Sequence, residues 1–175
     1  MSSVVISGDT SGTVSLTVPA VAGTNTATLP AATGQIMVSG NMPAFSAYMS
    51  AGQALTLNTN TKLTFNTESY DTANAFDNVT NYRFTPLVAG YYQVNGCVQF
   101  GGITDGYAMI YKNGVVDKYG LLCGTRAAYI ATISAQVYLN GSTDYIELYA
   151  LTTVSGTTAS GSALTYFQAA MIRAA

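Results

Sequence analysis

Few side chains in this sequence could carry chemistry, and their spacing limits what that chemistry would be. Carboxylates pair up three times: Glu68 with Asp71, Asp105 with Asp117, and Asp144 with Glu147. Two facing carboxylates can serve as acid and base in glycoside cleavage. Here each pair sits among turn formers or at a strand end, where a carboxylate solvates the chain, so the protein is expected not to be an enzyme. There is no histidine. That excludes Ser-His-Asp and Cys-His catalysis and every His-bearing zinc site. Cys97 and Cys123 cannot complete a thiolate cage, and no Gly-rich phosphate loop is present. Asp71 and Asp77 with Asn74 and Asn78 could offer oxygens to calcium, which takes roughly six to eight. Asx side chains capping their own turns are the preferred reading. No metal and no cofactor are expected.

The elements that position these residues read as strands. Val94, Gly96, Val98 and Phe100 continue from Tyr92 on alternate positions, with Gln93, Asn95, Cys97 and Gln99 on the opposite face. Ala131, Ile133, Ala135, Val137 and Leu139 repeat the pattern. Tyr107–Tyr111 runs into Asn113-Gly114, a strong hairpin signal because both turn positions need positive φ. Asn140-Gly141 turns the chain again before a strand over Tyr145–Tyr149. Further short strands are expected at Phe45–Tyr48, Gln53–Leu57, Leu63–Phe65 and Ala163–Arg173, with 71–81 as a polar surface loop. About ten short strands without a helical period specify an all-β sandwich.

Composition narrows the partners. Of the 175 residues, 8% are charged and 49% apolar, and the net charge is −2, against roughly 25% charged in an average soluble protein. Such surfaces are expected to meet other protein rather than bulk water. The six Lys and Arg are scattered, so no basic stripe exists to neutralise phosphates and no nucleic acid is expected. No apolar run approaches the roughly 20 residues of a helical membrane span, and membrane insertion is not expected. No secretory signal is visible in MSSVVISGDT, which favours synthesis in a cytoplasm. Cys97 and Cys123 are better read as buried free thiols than as a bridge. The sequons Asn78-Val79-Thr80 and Asn140-Gly141-Ser142 would then stay idle.

From 62 to 100 the order of residues resembles the signature of the C1q/TNF-like jelly roll. Phe65-Asn66 and Tyr70-Asp71 are followed by Phe84, Pro86, Gly90 and Tyr92, in the family's order. Lys112-Asn113-Gly114 is similar to its hairpin turn. The opening Pro43–Tyr48 and the closing strand also resemble the family, although Ala169-Ala170 replaces a usual Gly-Phe pair. The resemblance implies an antiparallel jelly-roll sandwich over 43–175 that assembles as a homotrimer. It makes Phe45, Tyr48, Tyr92, Tyr166 and Phe167 candidates for the subunit contact. Most of the thirteen tyrosines should pack inside; any exposed ones could stack on sugars.

Residues 1–42 differ in character. Asp9 is the one charged residue and no aromatic occurs. Val14, Leu16 and Val18 alternate as in a strand, and Val4-Val5-Ile6 forms a second apolar piece. So small a segment cannot close its own core, so it is expected to form an intertwined stem or an arm on a partner, through Val4, Ile6, Val14, Leu16 and Val18. Its wording, SGDTSGTVSLTVPAVAGTNTATLPAATG, resembles the leaders of bacteriophage structural proteins. Together the two resemblances imply a non-enzymatic virion protein made in the host cytoplasm. It would be a trimeric capsid decoration (cement) protein or a short head or tail fibre, bound through its arm to a phage capsid or tail protein. The alternative is a receptor-binding module that recognises protein or glycan on the host surface.

Overall fold

The computed structural model describes residues 3–21, 23–28, 31, 36–101, 106–123 (the backbone alone for 121–123) and 129–175. The chain divides into two compact units, Met1–Gly34 and Gln35–Ala175. The second begins before the boundary expected after residue 42, because Met37 already packs against its core.

In the first unit, β1 (Ser3–Ser7) pairs antiparallel with β2 (Thr13–Thr17). Val4 lies opposite Leu16 and Ile6 opposite Val14, so these four side chains share one face of the hairpin. The Gly8 N–H donates to the Gly12 carbonyl at 2.9 Å, and Gly12 takes φ +79° to close the turn. Both strands are exposed along their whole length. A two-stranded hairpin alone is marginally stable in water.

The second unit is a two-sheet sandwich with antiparallel ladders. Its first half holds β3 (Ala44–Tyr48), β4 (Ala54–Leu55), β5 (Thr61–Lys62), β6 (Thr67–Asp71), β7 (Phe76–Asp77), β8 (Arg83–Phe84) and β9 (Gly90–Gly101). β10 (Gly106–Lys112), β11 (Val115–Tyr119), β12 (Leu121–Cys123), β13 (Tyr129–Leu139), β14 (Ile146–Thr152), β15 (Gly156–Thr158) and β16 (Tyr166–Ala174) follow. The small sheet runs β11-β10-β14-β8-β7, with β5 also on β14; the large sheet runs β12-β13-β9-β16-β3-β6, with β15 joining β4 to β9. The chain changes sheet repeatedly, as at β8 to β9 and β13 to β14.

Strand alternation decides what lies inside. On β9, Tyr92, Val94, Val98 and Phe100 are buried, and on β13 Ala131, Ile133, Val137 and Leu139 are, as the alternation predicts. Asn113 and Gly114 take φ +53° and +80° in the turn between β10 and β11. At the centre of the core Phe45 stacks on Phe76 (4.6 Å between centroids) and Phe84 (4.5 Å) and meets Phe167 edge-on at 5.1 Å. The first and last of these four rings in chain order come from the large sheet and the middle two from the small one.

Two expected elements differ. Leu63–Phe65 is not a strand: both apolar residues are fully buried, but the segment carries the chain from β5 in the small sheet to β6 in the large one. A crossover through the core shows the same alternate burial as a strand. The polar stretch 71–81 is not all loop either, because β7 lies within it and pairs with β8. Two aspartates make that possible. Asp71 accepts the backbone N–H groups of Ala73 (3.1 Å) and Phe76 (2.7 Å). Asp77 accepts those of Val79, Thr80 and Asn81 and the Asn81 amide Nδ2 at 2.7 Å. The Thr80 and Val79 N–H groups foremost hold the Asp77 carboxyl down at about 2. The predicted strand at Gln53–Leu57 contracts to β4.

Two measurements check these assignments. Phe45→Ala leaves a cavity between the sheets and should cost about 3–5 kcal/mol, read as a lower urea midpoint at unchanged m. Asp77 has a depressed native pKa, so its charge stabilises the fold above its unfolded value of about 3.9 and loses that effect as pH falls toward about 2. The stability gap between the wild type and Asp77→Asn should therefore be constant above about pH 5 and close below about pH 4 in urea titrations.

Candidate subunit-contact face

Because the large sheet buries one set of alternate residues, the other set looks outward from β13, β9, β16 and β3. The registers fix its rows: Tyr138, Gln136, Ser134, Thr132 and Ile130 of β13 lie opposite Tyr91, Gln93, Asn95, Cys97 and Gln99 of β9. Gln168 and Ala170 of β16 continue the rows beside Asn95 and Gln93, and Ser46 and Ala44 of β3 lie beyond them. None of these side chains is charged. Arg173, past a register shift in β16, is the ionised group at one corner, its guanidinium 6.0 Å from the Tyr91 ring centroid.

The middle of the face is a bonded polar ladder. Gln93 Nε2 donates to Ser134 Oγ at 2.9 Å, and Ser134 Oγ donates to Asn95 Oδ1 at 2.8 Å. Tyrosines flank it at both ends. Tyr91 and Tyr138 lie 5.5 Å apart and exposed; Tyr48 and Tyr166 face each other across β3 and β16, half-buried. Burial foremost, with Cys97 nearby, raises the Tyr166 phenol, so it stays neutral and able to donate. Cys97 is a buried free thiol, its Sγ 3.4 Å from the Leu164 carbonyl, and burial pushes its pKa up. Such a thiol is unreactive at neutral pH. The side chain of Cys123 lies outside the described residues.

The five aromatics expected at a subunit contact separate into two groups. Phe45, Tyr92 and Phe167 are wholly buried within the protomer, and Tyr92 donates its hydroxyl to the Val88 carbonyl at 2.7 Å. They have no surface left for another subunit, so that expectation is corrected: their bulk fills the space between the sheets. Tyr48 and Tyr166 lie on the outer face. Sequence reasoning missed the ladder and the Tyr91–Tyr138 pair, although the alternation already set Gln93, Asn95 and Gln99 apart from the core.

The carboxylates are engaged in holding turns and strands. Lys112 Nζ approaches Asp144 Oδ2 to 2.8 Å, and Asn113 Nδ2 and the Asn140 N–H also donate to that carboxylate. Lys112 and Asn113 foremost lower the Asp144 pKa. Glu147 is buried against Lys62 Nζ at 2.9 Å, and the same ammonium donates to the Asn81 carbonyl. Asp117 pairs with Lys118 at 3.0 Å; Asp105 lies outside the described residues. Glu68, raised by burial first and Asp71 second, has an acidic neighbour whose oxygens already accept backbone N–H groups. Among the described residues no cluster of His, Cys, Asp or Glu could hold a metal ion.

No family model matches the sequence, and no curated protein matches it. Solved structures do. The globular domain of zebrafish complement 1qA superposes with a TM-score of 0.57 at 16% identity, over 76% of this chain and 99% of that one. Murine APRIL gives 0.58 at 9% identity, over 75% and 99%. Eiger TNF from S. frugiperda gives 0.58 at 8%, over 77% and 93%. At this level of identity the likeness establishes architecture, and the chain has the C1q/TNF jelly-roll fold.

Proposed function

We propose that this chain is a non-enzymatic structural protein of a bacteriophage virion, made in the host cytoplasm and assembled as a homotrimer. Three copies would pack the outer faces of their large sheets about a shared axis. The observation that carries this reading is the face itself: four strands wide, uncharged across its centre, and edged by tyrosines with a dry ring and a wet tip. Burying its centre desolvates no ion, and its polar side chains already bond one another along the ladder, which keeps the cost of association low.

The hairpin β1–β2 supplies attachment. Its apolar face of Val4, Ile6, Val14 and Leu16 is exposed, and Val18 adds to the uncharged surface just beyond. A capsid or tail protein would cover that face. Three hairpins on one trimer would bind together, raising the effective concentration of each after the first has engaged. Decoration (cement) of a head and a short head or tail fibre both fit such a mechanism. The phage-like wording of residues 7–34 supports placing the assembly on a virion.

Sedimentation of the full chain at micromolar concentration should give a trimer, and Ser134→Lys should shift it to monomer by adding an ion to the centre of the face. A monomeric wild type overturns the assembly. Removing residues 1–34 should leave a folded trimer that no longer joins particles; retained incorporation overturns the attachment role.

A further inference from the structure

On the small sheet, the turns around β7 and β8 border an open cleft of about 510 Å³ lined by Asn74, Asp77, Asn78, Asn81, Arg83 and Leu87, among others. Binding sites for small ligands commonly fall between roughly 300 and 1,000 Å³. The unusual feature of this cleft is its cation. The Arg83 guanidinium lies 4.3 Å from the centroid of the Tyr145 ring, and none of the ion pairs among the described residues includes it. Its cross-strand neighbour Asp77 gives its oxygens to three backbone N–H groups and an Asn81 amide instead. A guanidinium held against an aromatic ring keeps its fork of N–H donors, the geometry that matches a carboxylate with two parallel bonds.

Around it, the Asn74 and Asn78 amides make no hydrogen bond with any described residue. Each offers both donor and acceptor capacity, which suits hydroxyl groups. Leu87, 77% exposed, adds one small apolar surface. The backbone is held in an uncommon form here: Tyr82, next to Arg83, has φ +50°, a region bulky residues rarely occupy. Such conformations cluster at ligand sites, where the surrounding structure over-determines them.

We infer that this cleft binds a carboxylate-bearing saccharide, with Arg83 receiving the carboxylate and the Asn74 and Asn78 amides its hydroxyls. The site is on the small sheet, separate from the face assigned to subunit contacts, so its failure or success leaves the assembly unaffected. Asn78 opens the sequon Asn78-Val79-Thr80; a glycan attached there would occupy the cleft, so the protein is best produced in bacteria.

Digalacturonate titrated into the full-length protein, followed by two-dimensional NMR, should shift resonances confined to residues 74–87 with saturation in the millimolar range or below. Its neutral methyl ester should bind at least tenfold more weakly. Arg83→Gln should abolish saturation, and Asn78→Ala should weaken binding severalfold, both with urea midpoints within error of wild type at residues outside the cleft. Should Arg83→Gln unfold the protein, Asn78→Ala and the ester decide alone. Absence of localised shifts, or equal binding of the ester, overturns the assignment. Equal binding of acetate overturns the saccharide part and leaves a simple anion site.

Discussion

Phe45 holds the two sheets to each other. Its ring contacts Phe76 and Phe84 from the small sheet and Phe167 from its own, and Phe84 in turn meets Tyr92 edge-on at 5.6 Å. Aromatic pairs in these geometries contribute about 0.5–1.5 kcal/mol each beyond the area they bury. The cluster has two consequences. It pins the two-residue strands β7 and β8, too short to hold by hydrogen bonds alone, and so shapes the cleft around Arg83. It also satisfies one side of β3 and β16 completely, which leaves the other side available to a different surface.

The scarcity of charge becomes intelligible from where the ions of the sandwich's described residues sit. Lys62 with Glu147 and Lys112 with Asp144 join strands or turns distant in sequence. Buried or half-buried pairs of this kind fix geometry more than they add stability. Asp71 and Asp77 are taken up by backbone N–H groups, so they organise chain direction. Among the described residues little ionic surface remains to repel a neighbouring copy, and the outer face of the large sheet is least charged across its centre.

Much of the sandwich was legible because period-two burial needs only local sequence. β9, β13 and the Asn113-Gly114 turn appear where their residues place them. The errors share a cause: sequence shows that a residue is apolar and alternates, not which surface covers it. Phe45, Tyr92 and Phe167 read equally well as core or as contact, and the resemblance to a trimeric fold tipped them outward. Leu63 and Phe65 alternate in burial because a crossover passes through the core. The Arg83 cleft was invisible, since it depends on Phe84 pairing with Ile146, which brings Tyr145 beside a guanidinium from a remote part of the chain. The polar ladder needed the register of β9 against β13 before Gln93, Asn95 and Ser134 could be recognised as a unit.

The position of β3 matters mechanically. The strand that opens the sandwich is not at an edge: β16 pairs with it on one side and β6 on the other. Tension travelling along the backbone into Ala44 would therefore be shared between two ladders, and it could not peel the sheet open one bond at a time. Resistance to such pulling is set by the barrier to unfolding rather than by equilibrium stability. Were the body tethered through its leading segment, as proposed, the load would enter where the sheet is braced from both flanks.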